Sequence, residues 1–102
     1  MPTLPEHQVY IITNKRKTVF YVGLTDNLRR RLWQHKYKLI PGFTAKYNVD
    51  MLVYSESLPS KALAAKREKE IKSWSRQKKF NLIKSLNPNF QNLSANWFGF
   101  KE

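Results

Sequence analysis

The apolar positions of this chain fall into short runs before residue 60 and into helical spacing after it. Residues 9–13 form a β-rich run, residues 14–17 (Asn-Lys-Arg-Lys) a polar turn, and residues 18–24 a second run of β-branched and aromatic residues. Together they predict a hairpin. Thr25 or Asp26 can cap a helix starting near Asn27, and Leu28 and Leu32 mark one face of it at i,i+4 spacing. Pro41-Gly42 breaks that pattern. Residues 50–57 predict a third strand with Leu52 and Tyr54 on one face. Ser60 then caps a longer helix reaching about residue 75, and a shorter one covers residues 76–86. Asn87-Pro88 ends it. From residue 89 on, charges are few, and Phe90, Trp97, Phe98 and Phe100 predict a tail packed on the core and frayed at its end.

Length confines these elements to one domain, residues 1–102, with a core over about 8–97. Hydrophobic residues make up 41% and aromatics 14%, enough to fold without covalent staples. There are no cysteines, which excludes disulfides and thiolate zinc sites and fits a reducing, cytoplasmic setting. No apolar run approaches a membrane span, and residues 1–8 lack the pattern of a secretory signal.

Charge changes the picture more than composition does. Nineteen Lys and Arg oppose seven Asp and Glu, a net +12, and this favours a polyanionic partner. A soluble, solvated surface is the plainer reading; an excess this large in so short a chain puts nucleic acid ahead of it. Arg29, Arg30, Arg31, Lys36 and Lys38 are grouped without an acid, and residues 61–84 hold nine basic residues against only Glu68 and Glu70. Trp33, Tyr37, Phe43, Tyr47 and Trp74 lie among these charges. Exposed aromatics there could stack on unpaired bases. For any single one, a place in the core is the stronger expectation.

The candidate chemistry begins with Arg31 and His35, four apart on one helix face. An Arg can hold a phosphate oxygen bidentately, and a His can move a proton near neutrality. Alone, the pair is weak. Glu68 falls at the margin of a stripe formed by Leu63, Ala64, Ile71 and Trp74, and an acid there needs a reason. A divalent cation is one reason, and an ion pair with Lys72 at i+4 is the other. The residues leave these two even.

Val9-Tyr10-Ile11, Tyr21-Val22-Gly23 and residues 25–31 through Arg31 and His35 resemble the GIY-YIG nuclease family, with Gln8 where that family often has Gly. Arg67-Glu68-Lys69 with Ile71-Lys72 resembles the family's metal-binding helix. Residues 74–76 and 82–88 are similar to its small stand-alone bacterial members, kin to the catalytic domains of excision-repair incision nucleases and homing endonucleases. The resemblance covers residues 8–97. It implies an α/β fold of the α+β type, a three-stranded antiparallel sheet flanked by about three helices. It also implies metal-dependent hydrolysis of DNA phosphodiesters with one Mg²⁺ or Mn²⁺.

Carried over by residue, Tyr10 activates or orients the water, and a neighbouring cation has to lower its pKa. Tyr21 hydrogen-bonds water or phosphate, Arg31 neutralises developing charge, and His35 assists the proton relay or positions Tyr10. Glu68 binds the metal, and Gly23 permits a close backbone approach. Asn87, ahead of Asn81, is the candidate for the family's late Asn. Arg29, Arg30, Lys36, Lys69 and Lys72 are candidate nucleic-acid contacts. As a bare sequence, Tyr10 and Tyr21 read as ordinary strand residues, Gly23 as a strand-end glycine, and Arg29 and Arg30 as solvated charge. No appended domain is visible, so structured or single-stranded DNA is expected over a specific sequence, with no protein partner indicated. The alternatives are a binding module that keeps the fold without turnover and a structural protein with an acidic partner.

Overall fold

The computed structural model describes residues 7–98. Strand β1 (His7–Thr13) is the centre of an antiparallel sheet, with β2 (Phe20–Thr25) on one side and β3 (Met51–Leu58) on the other. Because β1 is central and covered on both faces, Val9 through Thr13 are all buried and the polar alternation of a half-exposed strand is lost. The hairpin is locked by one side chain. Asn14 Oδ1 accepts from the Thr18 and Val19 amides, at 2.8 and 3.3 Å, and Lys17 turns through a left-handed backbone. That claims residues 18 and 19 for the turn, so β2 starts at Phe20 rather than at 18.

Four helices follow, where about three were expected. They are α1 (Leu28–Lys36), α2 (Phe43–Lys46), α3 (Lys61–Lys72) and α4 (Arg76–Leu86). The extra one, α2, is a single turn entered through Gly42 at φ 112°, a conformation suited to glycine. The cap of α1 also differs from expectation. Asn27 accepts from the Arg30 amide, while Thr25 accepts from the Asn27 amide and shapes the approach. Ser60 caps α3 as predicted, but that helix stops at Lys72 because Ser75 caps α4.

Two cores result, one on each face of the sheet. Val9, Ile11, Val22, Ala64, Ile71 and Ile83 meet on the face covered by α3 and α4. Tyr10, Ile12, Leu28, Leu32, Val49 and Leu52 meet on the face covered by α1. Each fully buried Ile, Leu or Val contributes about 1.5–3 kcal/mol. Leu52 and Tyr54 do not share a face. A bulge in the β1–β3 pairing pairs Ile11 with Tyr54 and Ile12 with Leu52, so the two side chains join different cores.

The segment after α4 packs as predicted. Phe90 lies against Phe80 and Phe20, with ring centroids 4.6 and 6.4 Å apart, and Trp97 and Phe98 pack on the Tyr10 core. Phe100 lies outside the described residues.

Candidate active site

Tyr10 sits mid-strand on β1, directly opposite Gly23 of β2. Its ring lies across the Gly23 backbone: a Cβ built on that glycine would stand 2.4 Å from the Tyr10 hydroxyl and ring. Any other residue at 23 collides with Tyr10, so the glycine is there for space. His35, near the end of α1, is buried and reaches back over the same face. Tyr10 Oη and His35 Nε2 are 2.9 Å apart, and His35 Nδ1 lies 3.1 Å from Thr44 Oγ1 on α2. Tyr21 completes an aromatic cluster, its ring centroid 5.7 Å from His35 and 6.5 Å from Tyr10.

Burial sets the proton chemistry of this chain. It pushes the His35 imidazole down to about 4, and the Arg31 guanidinium pushes the same way, so the ring is neutral near pH 7. Either neutral tautomer completes Tyr10–His35–Thr44, because both hydroxyls can donate or accept. The Tyr10 hydroxyl is held well above its usual value by burial first and then by Tyr21, with Glu68 adding to it. Arg31 pulls it down but does not prevail. The expected cation is therefore present, yet the net shift runs opposite to the one anticipated. Tyr10 stays protonated and acts as a hydrogen-bonded hydroxyl.

The charges of Arg31 on α1 and Glu68 on α3 are both felt at the Tyr10 hydroxyl, the first lowering and the second raising its pKa. Glu68 also pairs with Lys72, Oε2 to Nζ 3.1 Å. The ion pair anticipated from spacing is thus formed. No group of three or more His, Cys, Asp or Glu stands together among the described residues. A cation at Glu68 would complete its shell with phosphate oxygens and water, which suits a hard divalent ion delivered with its substrate.

A scan against family models matches residues 6–81 to the GIY-YIG catalytic domain. The chain belongs to the GIY-YIG family. Membership implies a nuclease-type function, acting on nucleic acid, and divalent metals are typical of GIY-YIG nucleases. A UPF0213 protein of Staphylococcus haemolyticus is 36% identical over 80 residues, 78% of this chain and 96% of that protein. One from Natronomonas pharaonis is 37% identical over 78 residues, 76% of this chain and 91% of the relative. The solution NMR structure of a Bacillus halodurans UPF0213 protein is similar at a TM-score of 0.56 and 30% identity, covering 89% of this chain and 95% of that one.

The remaining candidates lie elsewhere. Asn87 caps α4 and is buried. Its amide donates to Val53 O and Gln91 O, at 3.1 and 2.9 Å, and accepts from the Gln91 amide at 3.0 Å. Those contacts fix the chain after α4 against β3. Asn81 is exposed and accepts from Gln77. Arg29 donates to the Trp97 carbonyl and lies over that ring, so it docks the C-terminal segment instead of facing solvent freely. Arg30, Lys36 and Lys69 are exposed as expected, and Lys72 is taken by Glu68.

Thr44 was missed by sequence reasoning. A threonine carries no signal of its own, and its partner is fixed only when α2 folds against α1. A second cluster was also missed: Arg67 pairs with Glu56 through two bonds of 2.9 and 3.2 Å, and Tyr54 donates to the same carboxylate at 2.5 Å. Burial and that carboxylate push the Tyr54 hydroxyl up to about 12.

Proposed function

We propose that the protein is a metal-dependent endonuclease that hydrolyses phosphodiesters of DNA and selects by structure or strandedness. The observation that carries this reading is the buried Tyr10–His35–Thr44 chain with Arg31 and Glu68 acting on its end. Water hydrogen-bonded at the Tyr10 hydroxyl is aligned for attack on phosphorus. Its proton passes to Tyr10 Oη as the Tyr10 proton moves to His35 Nε2, so that no free phenolate is needed in a site that opposes one. Arg31 neutralises the charge growing on the phosphoryl oxygens, and Tyr21 orients water or phosphate. Glu68 would hold one Mg²⁺ or Mn²⁺ in place of its pairing with Lys72, and the ion would supply Lewis-acid stabilisation of the leaving oxygen.

The test is incubation of labelled single-stranded and duplex DNA with Mg²⁺, Mn²⁺ or EDTA. Cleavage should require metal. Arg31→Ala and Glu68→Ala should each lower it by a factor on the order of a hundred or more. Salt-sensitive binding without cleavage in either metal would support the binding module instead.

A further inference from the structure

The four aromatics on and just after α1 and α2 were expected to serve the core, and they do not. Trp33, Tyr37, Phe43 and Tyr47 are each close to half exposed. They stand as two tilted pairs, Trp33–Tyr37 at 5.5 Å and Phe43–Tyr47 at 5.0 Å between ring centroids. The second pair has a setting the first lacks. Phe43 forms one wall of a groove whose other lining residues are Thr18, Val19, Phe20, Arg76 and Lys79. No carboxylate lines it. Arg76 is fixed there by bonds of 2.8 and 2.9 Å to the Thr18 and Lys17 carbonyls and lies 4.8 Å over the Phe20 ring. Lys79 has no ion-pair partner among the described residues. Lys46 lies over Tyr47. The Phe43 wall adjoins the active centre, whereas Phe20 packs on the opposite face of the sheet from Tyr21. Thr44, next to Phe43, bonds His35.

We propose that this groove seats a single strand of nucleic acid beside the active centre, with an unpaired base stacked on Phe43–Tyr47 and its phosphates held by Arg76 and Lys79. The inference rests on the nuclease reading above and names the part of the substrate that the groove reads. The fit is one of chemistry. Exposed ring faces suit the face of an unpaired base, and fixed cations suit the backbone that carries it. Bases inside a duplex have both faces covered by neighbours and cannot use the platform. Strand selection then follows from α2 rather than from the catalytic residues.

The test measures binding in EDTA, so that cleavage does not enter. Fluorescence anisotropy is recorded with a fluorescein-labelled oligothymidylate and with a blunt duplex of equal length. The Phe43→Ala/Tyr47→Ala variant should lose about tenfold or more in affinity for the single strand and about twofold or less for the duplex. Phe43→Tyr, which keeps a ring, should retain single-strand affinity. Lys79→Ala should weaken single-strand binding and reduce its salt dependence by about one counterion. Equal losses on strand and duplex, or no loss on either, would overturn the proposal. A folded double variant, checked by its melting curve, excludes collapse as the cause. The two readings fail separately. Wild-type binding of strand over duplex, lost with the aromatics but accompanied by no cleavage in any metal, sinks the nuclease and keeps the groove. Metal-dependent cleavage with unchanged binding in the double variant does the reverse.

Discussion

The lack of a side chain at residue 23 decides whether Tyr10 can lie where it does. A methyl group there meets the Tyr10 ring end at 2.4 Å, and the ring is boxed in by His35 and Tyr21. Gly23→Ala should therefore destabilise the fold by about 1–3 kcal/mol, read by urea denaturation, and turn the ring off His35. A variant with wild-type stability and an unchanged near-ultraviolet spectrum would contradict this close contact. His35 makes a second prediction. Its folded value is about 4 against 6.5 for a free imidazole, so the unfolded chain binds more protons between those values. Its contribution is whole above pH 6.5 and is lost as pH falls towards 4. The melting temperature should drop across that window, and His35→Gln should flatten the drop. At this scale the sequence was readable only through the family pattern. Tyr10, Tyr21 and His35 lie in one cluster, and the charges of Arg31 and Glu68 are felt at the Tyr10 hydroxyl. The main-chain partners of the Asn87 amide were not legible, because an Asn-Pro pair looks the same whether its amide meets substrate or main chain.

Elements were legible where one side chain or one spacing fixes them. Ser60 announces α3, and Leu28 with Leu32 announces α1. Where a local bond competes, the boundary moved: Asn14 shortened β2, and Asn27 displaced Thr25 and Asp26 as cap. Helix α2 was invisible because four residues after Pro41-Gly42 carry no period, although it supplies Thr44 to the active centre. The bulge between Ile11 and Ile12 was equally hidden, since it belongs to a pairing and not to a run. Asn27→Ala should remove the amide acceptor at the start of α1 and cost about 1 kcal/mol. Because α1 carries Arg31 and His35, hydrogen exchange should rise first at the amide of Arg30, the one that Asn27 caps. Uniform exchange across the molecule would show that the cap is dispensable.

The molecule as a whole is dominated by its +12 charge. No helix among the described residues is long and apolar enough to cross a membrane. The cations are not equivalent. Arg30 and Lys69 are exposed and form no ion pair among the described residues, whereas Arg29 is tied to Trp97. Arg30→Ala and Lys69→Ala should each lower the slope of log affinity against log salt for DNA by about one and leave the melting curve unmoved. Arg29→Ala should instead lower the melting temperature by loosening the C-terminal segment. The reverse assignment of effects would mean that the Trp97 contact does not persist in solution. Sequence predicted the charge and the apolar segment separately; that one arginine joins them depends on the folded distance.

The contacts that follow α4 have a consequence for synthesis. Asn87 and Leu93 donate to the Val53 and Leu52 carbonyls of β3, a strand paired on its other side with β1. They cover acceptors that would otherwise invite another chain to add as a strand. On the ribosome, all three strands and the residues of the active centre emerge before this cover does. A nascent chain halted after α4 would thus carry the residues from Tyr10 to Glu68 and an unguarded edge. Its hazard would be self-association.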